Sequence, residues 1–249
     1  MDMISVITIN RNNAPGLLRT MESVISQSFE GIQYIVIDGA STDHSVSVIS
    51  KYADRLSYWV SEPDNGIYHA MNKGIAKAAG KYLLFLNSGD YLADNQVIRK
   101  IAEQSTGKDI LYGSIAVYVG GKLKKLDAPR KIVYSERYQH NLPAHAATFI
   151  QKRLFDKYGL FDESYPIIAD VVFFSRAFAD RQTTYQHIDE VISVFDLNGV
   201  SSHKANQTAI YEERMRFIQK EFPRYQHALK QYYHPSFFKR LYDYCRHRL

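Results

Sequence analysis

The chain has 249 residues, a formal net charge of +5, and 45% hydrophobic and 23% charged residues, the balance of an ordinary globular protein long enough to bury a sizeable core. No run nears the roughly 20 apolar residues of a membrane helix, and no basic-then-apolar leader opens the chain, so a cytoplasmic location is expected. The lone cysteine, Cys245, excludes an internal disulfide framework and a cysteine-built zinc site.

Ile4 to Ile9 alternates and is β-branched, which predicts a strand, with the polar Asn10-Arg-Asn-Asn13 after it. Ala14 to Gln27 carries Leu17, Leu18, Met21, Val24 and Ile25 at helical spacing. Tyr34 to Ile37 is a second strand, followed by Asp38-Gly-Ala-Ser-Thr-Asp43 and a helix over 44–52 that Ser41 or Thr42 could cap. Tyr58 to Val60 is a short strand, Ile67 to Ala79 a third helix, and Tyr82 to Leu86 a strand buried on both faces. That strand breaks abruptly into Asn87-Ser88-Gly89-Asp90. Beyond it, Ile110 to Val119 and Lys122 to Leu126 form a hairpin around Gly120-Gly121, Ala147 to Ile150 and Glu190 to Phe195 are strands, and 152–158, 169–179 and most of the chain after His203 are helical.

Strands alternating with helices at this spacing imply an α/β fold with a mostly parallel sheet. No G-x-G-x-x-G follows the first strand, which argues against a dinucleotide site. Open α/β sheets gather ligands at the carboxyl ends of their strands. Thr8, Asn10, Asp38 and the 87–90 turn, with Ser88 and Asp90, therefore stand where chemistry is expected. Asp38 also reads as a turn aspartate, and Asp170, at a helix start, as an N-cap.

The segment Ser61 to Leu92 resembles the central block of family 2 glycosyltransferases, inverting nucleotide-sugar enzymes of GT-A fold. Ile-Asp38-Gly-Ala-Ser-Thr-Asp43 is similar to the family's V-D-D-G-S-T-D, whose acidic residues contact the nucleotide. Gly66-Ile-Tyr-His-Ala-Met-Asn72-Lys-Gly74 resembles G-x-x-x-A-R-N-x-G, with Met71 where many members carry Arg. Asn87-Ser88-Gly89-Asp90 stands in place of D-x-D. Pro143 to Phe149 resembles the family's H-x-x-x-F strand, and Ile168-Ala-Asp170 the motif that supplies the base.

The resemblance implies Asp170 as catalytic base. It implies Thr8, Asn10, Asp38, Asp43, Glu62, Gly66, Asn72, Asn87 and Ser88 around the nucleotide sugar. A divalent metal, Mg²⁺ or Mn²⁺, is expected at Asp90, with His203 as a further ligand. His145 and Arg176 are expected beside the acceptor or the phosphates. The donor is a nucleotide-diphosphate sugar, with UDP favoured, and the acceptor a glycan or lipid-linked hydroxyl, as in bacterial capsule, O-antigen or exopolysaccharide synthesis.

The expected organisation is a catalytic domain over 1–205, with a nucleotide-binding half (1–95) and an acceptor half (96–205), then a basic, aromatic tail over 206–249. Residues 224–249 place Arg224, Lys230, Lys239, Arg240, Arg246 and Arg248 among tyrosines and phenylalanines against Asp243 alone. Such a stretch suits either an anionic membrane surface, which would make the protein peripheral on the inner face of the membrane, or packing against the core. No nucleic-acid module accompanies it. The alternatives are a nucleotidyltransferase, disfavoured by the glycine-poor loop after the first strand, and a non-catalytic nucleotide-sugar-binding protein with a degenerate metal site.

Overall fold

The computed structural model describes residues 3–132 and 142–223. The 224–249 segment, including Cys245, lies outside the described residues. The first half runs β1 (Ile4–Asn10), α1 (Ala14–Ile25), β2 (Ile32–Asp38), α2 (Ser45–Lys51), β3 (Tyr58–Ser61), α3 (Ile67–Lys77) and β4 (Tyr82–Phe85). It continues with β5 (Tyr91–Leu92), α4 (Val97–Gln104), β6 (Ile110–Val119), β7 (Lys122–Leu126), β8 (Thr148–Gln151), α5 (Arg153–Tyr158), α6 (Ala169–Ala179), β9 (Tyr185–Phe195) and α7 (Gln207–Glu221).

All nine strands join one sheet in the order β3-β2-β1-β4-β8-β6-β9-β5, with β7 paired to β6. Strands β3, β2, β1 and β4 are parallel. Strand β8 runs antiparallel to both β4 and β6, and β6 pairs parallel with β9. Thus β6 and β9 point the same way as β1 and β4, and their carboxyl ends share one edge. The reversed strand β8 brings its amino end, and the turn before it, to that same edge.

Helices cover both faces because the central strands are apolar on both sides. On one face Leu17, Met21 and Val24 of α1, Ile49 of α2 and Val97, Ile98 and Ile101 of α4 pack on Val6, Val36 and Leu84. On the other, α3, α5, α6 and α7 pack on Ile7, Ile35 and Phe85. An aromatic cluster knits that second face: Phe155 stacks on Phe173 with centroids 4.4 Å apart, and Phe161 meets Phe85, Phe155 and Phe173 edge-on. Buried aromatic rings contribute large apolar areas to such a layer, and edge-on or offset pairs add to it.

Several expectations change. Helix α7 does not belong to a separate tail. Ile210, Met215, Phe217 and Ile218 are buried in the core, because its apolar residues meet the α6 layer. Strand β9 begins at Tyr185 rather than Glu190, since pairing with β6 recruits a polar stretch that lacks strict alternation. Strand β5 and helix α4 were not predicted. Helix α2 has no side-chain cap from Ser41 or Thr42; Ser41 is drawn instead to Asp38. Among the described residues no helix is long and apolar enough to cross a membrane.

Candidate active site at the carboxyl edge of the sheet

The 87–90 turn is held from below by α1. Asn13, the α1 cap, donates from Nδ2 to the Ser88 carbonyl at 3.1 Å. Thr20 Oγ1 donates to the Asp90 carbonyl at 2.6 Å and accepts from Gly89 N at 3.0 Å. Gly89 has φ +111°, and a Cβ there would lie 2.7 Å from Asp196 Oδ2, so only glycine fits. The turn thereby faces Asp196, the first residue beyond β9.

Above it opens a cavity of about 850 Å³, a volume suited to a ligand of nucleotide-sugar size. Strand and helix ends distant in sequence meet around it: Arg19 of α1, Tyr68 and Met71 of α3, Asn87, Ser88 and Asp90, His145, Asp170 of α6, Asp196, and Arg214 of α7. Its acids and bases interlock. Asp170 Oδ1 accepts from the Tyr68 hydroxyl at 2.7 Å and from Val171 N at 2.9 Å. Its Oδ2 lies 3.0 Å from His145 Nδ1. The Asp170 and His145 side chains are only 16% and 14% exposed.

Burial favours a neutral Asp170. The hydrogen bond and charge of His145, with Tyr68 and the Val171 N–H, outweigh it and hold the carboxyl below its ordinary pKa. Its place in the first turn of α6 works the same way. Burial likewise disfavours the His145 imidazolium, but the bond and charge of Asp170, helped by Asp90, raise its pKa. Tyr68 is pushed upward by burial and by Asp170, so it stays a donor.

Asn87 Nδ2 sits 3.3 Å from His145 Nε2, the orientation that suits a neutral ring with its proton on Nδ1. The buried Asn87 Oδ1 then finds no hydrogen-bond partner among the described residues. An imidazolium would instead ask the Asn87 amide to turn and present that oxygen.

Asp90 is 3% exposed, and its Oδ1 accepts the Asp196 N–H at 2.8 Å. Burial pushes its pKa up to about 6, opposed only in part by that N–H and by His145. Among the described residues no three His, Cys, Asp or Glu side chains gather as a closed metal cage. The oxygens of Asp90, Asp196 and the orphaned Asn87 Oδ1 nevertheless fit a hard divalent ion. Such an ion keeps waters and takes phosphate oxygens for the rest of its shell.

Not every expected residue reaches the cavity. Thr8 is fully buried, its Oγ1 3.1 Å from the Tyr34 hydroxyl, so it is a core residue and no nucleotide contact. Asn72 is spent on structure: Nδ2 donates to the Phe161 carbonyl and to Glu163, and Oδ1 accepts Phe161 N–H. Arg176 pairs with Glu221 at 2.7 Å on the flank of α6 and does not line the cavity. His203 is exposed in the 196–206 loop and does not line the cavity. Glu62 is at the surface, bridged to Lys73 at 2.8 Å.

Asp38 and Asn10 build the neighbouring strand-end turn. Asp38 accepts from Asn10 Nδ2, from Ser41 through both its N–H and its hydroxyl, and from the Ser61 hydroxyl. Burial opposes its charge, but those bonds lower its pKa. Asp43 ties Ala14 N to Ser45 N, linking the starts of α1 and α2. Gly66 precedes α3 at φ +119°, a turn closed by Asp64 Oδ1 on Gly66 N.

Five contributors carry no motif in the sequence reading: Tyr68, Arg19, Asp196, Glu213 and Arg214. Asp196 was within reach, since it too follows a strand and opens a polar Asp-Leu-Asn-Gly turn. Glu213 of α7 accepts Ile167 N–H and Ile168 N–H at 3.0 and 3.1 Å. It thereby caps the start of α6 two residues before Asp170, and no local signal marks it.

The Glycosyl transferase family 2 model matches residues 5–160. An uncharacterized glycosyltransferase of Mycobacterium tuberculosis is 36% identical over 230 residues, 88% of this chain and 85% of that protein. A PGL/p-HBAD biosynthesis glycosyltransferase of the same organism is 27% identical over 213 residues, 80% and 79% of the two chains. The structure of S. aureus TarS 1-349 in complex with UDP superposes with TM-score 0.67 at 20% identity, over 88% of this chain. This chain spans 65% of that structure's length, just under two thirds. The mannosyltransferase PcManGT of Pyrobaculum calidifontis, in complex with GDP-Man and Mn²⁺, superposes with TM-score 0.65 at 14% identity, over 95% and 69% of the two chains. A sheet carrying its site at the carboxyl edge, a family match over more than half the chain and a near-full-length relative lead to one conclusion: this chain has the GT-A fold and belongs to glycosyl transferase family 2.

Proposed function

We propose that the protein transfers a sugar from a nucleotide-diphosphate sugar, a UDP-sugar in the first instance, to a hydroxyl of a glycan or lipid-linked acceptor, with inversion at the anomeric carbon. The observation that carries this reading is the meeting of Asp170 and Asp90 on one open cavity, joined through His145 and Asn87. Neighbours of the same fold hold UDP or GDP-Man with Mn²⁺, which supports a donor of this class.

In this reading the acceptor oxygen attacks the anomeric carbon while Asp170 takes its proton. The bond to the diphosphate breaks on the opposite face, and the diphosphate leaves with the electron pair. Asp170 enters the reaction ionised, because His145 and Tyr68 keep its pKa low. Both neighbours also fix the direction in which the carboxylate faces the cavity, and such positioning supplies a large share of the rate. Asp90, Asp196 and Asn87 would hold the divalent ion, which offsets charge growing on the diphosphate. Arg19, on the rim beside Asp90, adds a second positive charge there. The nucleoside end would lie toward the Asp38–Asp43 turn, at the carboxyl end of β2.

A thermal-shift panel of nucleotide sugars and nucleoside diphosphates, with and without Mn²⁺, tests the donor site. A ligand at 100 times its Kd adds about 2.7 kcal/mol. A metal-dependent shift with one base supports the assignment; a folded sample that no nucleotide stabilises refutes it.

A further inference from the structure

The hairpin of β6 and β7 carries two apolar side chains that stay half exposed in the described fold. Tyr118 is 55% exposed and Leu123 53% exposed, and the two are direct cross-strand partners. Beyond them the chain turns through Gly120 and Gly121, both at positive φ. A single exposed leucine means little. The exposed Tyr118–Leu123 pair occupies one face of the hairpin tip, and Lys122 and Lys124, opposite Val119 and Val117, project from the other, so the tip is amphipathic. From Tyr118 to Ile132 there are five cations, Lys122, Lys124, Lys125, Arg130 and Lys131, against one carboxylate, Asp127; Asp189 of β9 also pairs with Lys125 and Arg130 at 3.3 and 3.6 Å, so the positive excess at the tip rests on Lys122, Lys124 and Lys131.

Lysines on an edge strand ordinarily discourage pairing with another chain. That accounts for the charges but leaves the apolar tip without a role. A second copy of the hairpin would set rows of like charge against each other, so self-association is the poorer fit. A surface of opposite charge with an apolar interior meets both features at once. Lysine heads stay at the headgroups while Tyr118 and Leu123 enter the acyl boundary.

The tip also has a definite place relative to the cavity. The carboxyl end of β6 lies beside that of β9, where Asp196 begins the cavity wall. Tyr118 is in side-chain hydrogen-bond contact with Tyr91, and the Arg19 guanidinium lies over the Tyr91 ring at 5.5 Å. The hairpin tip therefore adjoins the rim of the site.

We propose that the β6–β7 hairpin tip docks the protein on an anionic lipid bilayer, setting the cavity mouth beside the membrane surface. The docking stands independently of the sugar-transfer reading. Only its consequence, that a lipid-linked acceptor would reach Asp170 from the bilayer, rests on that reading.

The test uses the full chain with phosphatidylcholine vesicles, neutral or containing phosphatidylglycerol. Expected are co-sedimentation with the anionic vesicles alone, and affinity lowered about tenfold or more by Lys122→Glu and by Leu123→Ser. Leu123→Trp should show a blue-shifted emission on anionic vesicles that the native Trp59 does not. Unchanged melting of each variant establishes that it is folded. Failure to sediment with either vesicle overturns the proposal. So does sedimentation with an unmoved Leu123→Trp signal, which would assign binding to another surface such as 224–249. Self-association without lipid that Leu123→Ser abolishes would assign the tip to a second copy instead. Nucleotide binding is measured separately, so a failed donor site and a failed docking surface are told apart.

Discussion

Replacing Asp90 by Asn should stabilise the metal-free protein while disabling it. Asp90 is 3% exposed, and burial lifts its pKa from 3.8 to about 6. A carboxyl whose folded-state pKa is raised favours the fold fully below its unfolded value, and that advantage is lost as pH rises through the folded value. At neutral pH the folded chain thus carries a charge it would rather not hold. A shift of about two units at 1.36 kcal/mol each amounts to about 3 kcal/mol. Asn avoids this cost and keeps an oxygen to accept the Asp196 N–H, now at 2.8 Å. In chelator, urea unfolding of Asp90→Asn should exceed wild type by up to about 3 kcal/mol near pH 7.5, or about 6–12 °C in Tm. The gap should shrink between about pH 6 and pH 4 and vanish below. Mn²⁺ should stabilise wild type and leave the variant unmoved, since the ion needs the carboxylate. A wild type as stable as Asp90→Asn near neutrality, or a gap independent of pH, would refute the reasoning.

Asp170→Asn should lower kcat by about 10²–10⁴-fold with donor affinity unchanged in thermal shift; a fully active variant would remove Asp170 as the base. Asn72→Ala should cost about 1–3 kcal/mol, because the Phe161 N–H and carbonyl lose their partner, and should leave nucleotide affinity intact; a selective loss of nucleotide binding would return Asn72 to the site. Glu213→Ala should destabilise by about 1–3 kcal/mol through the two N–H groups stranded at the start of α6. Glu213→Gln, which keeps an acceptor, should recover most of that in denaturant titrations; equal losses in both variants would show that the capping bonds are not the cause.

Much of this protein was legible in its sequence because the signals are local. Apolar runs such as Tyr82 to Leu86 declare buried strands, the abrupt Asn87-Ser88-Gly89-Asp90 turn declares a strand end, and strand ends in an open α/β sheet are where ligands lie. Asn87, Ser88 and Asp90 stand out in that way, whereas Asp170 and His145 are marked only by the resemblance to the family's motifs; all five line the cavity. Thr8, Asn72, Arg176 and His203 read equally well as site residues, yet each lies elsewhere. A polar residue's motif position does not say whether a distant partner, the Phe161 backbone for Asn72 or the Glu221 carboxylate for Arg176, has already claimed its hydrogen bonds. Hydrophobic periodicity and chain punctuation therefore set the order of elements and the edge on which chemistry gathers. The tertiary structure alone decided which side chains meet. The reversal of β8 carries His145 back to the edge of β4. The return of α7 places Glu213 under α6. The antiparallel pairing of β9 with β5 sets Asp196 against Gly89. Each is a contact between segments tens to more than a hundred residues apart, formed by packing rather than by any pattern along the chain.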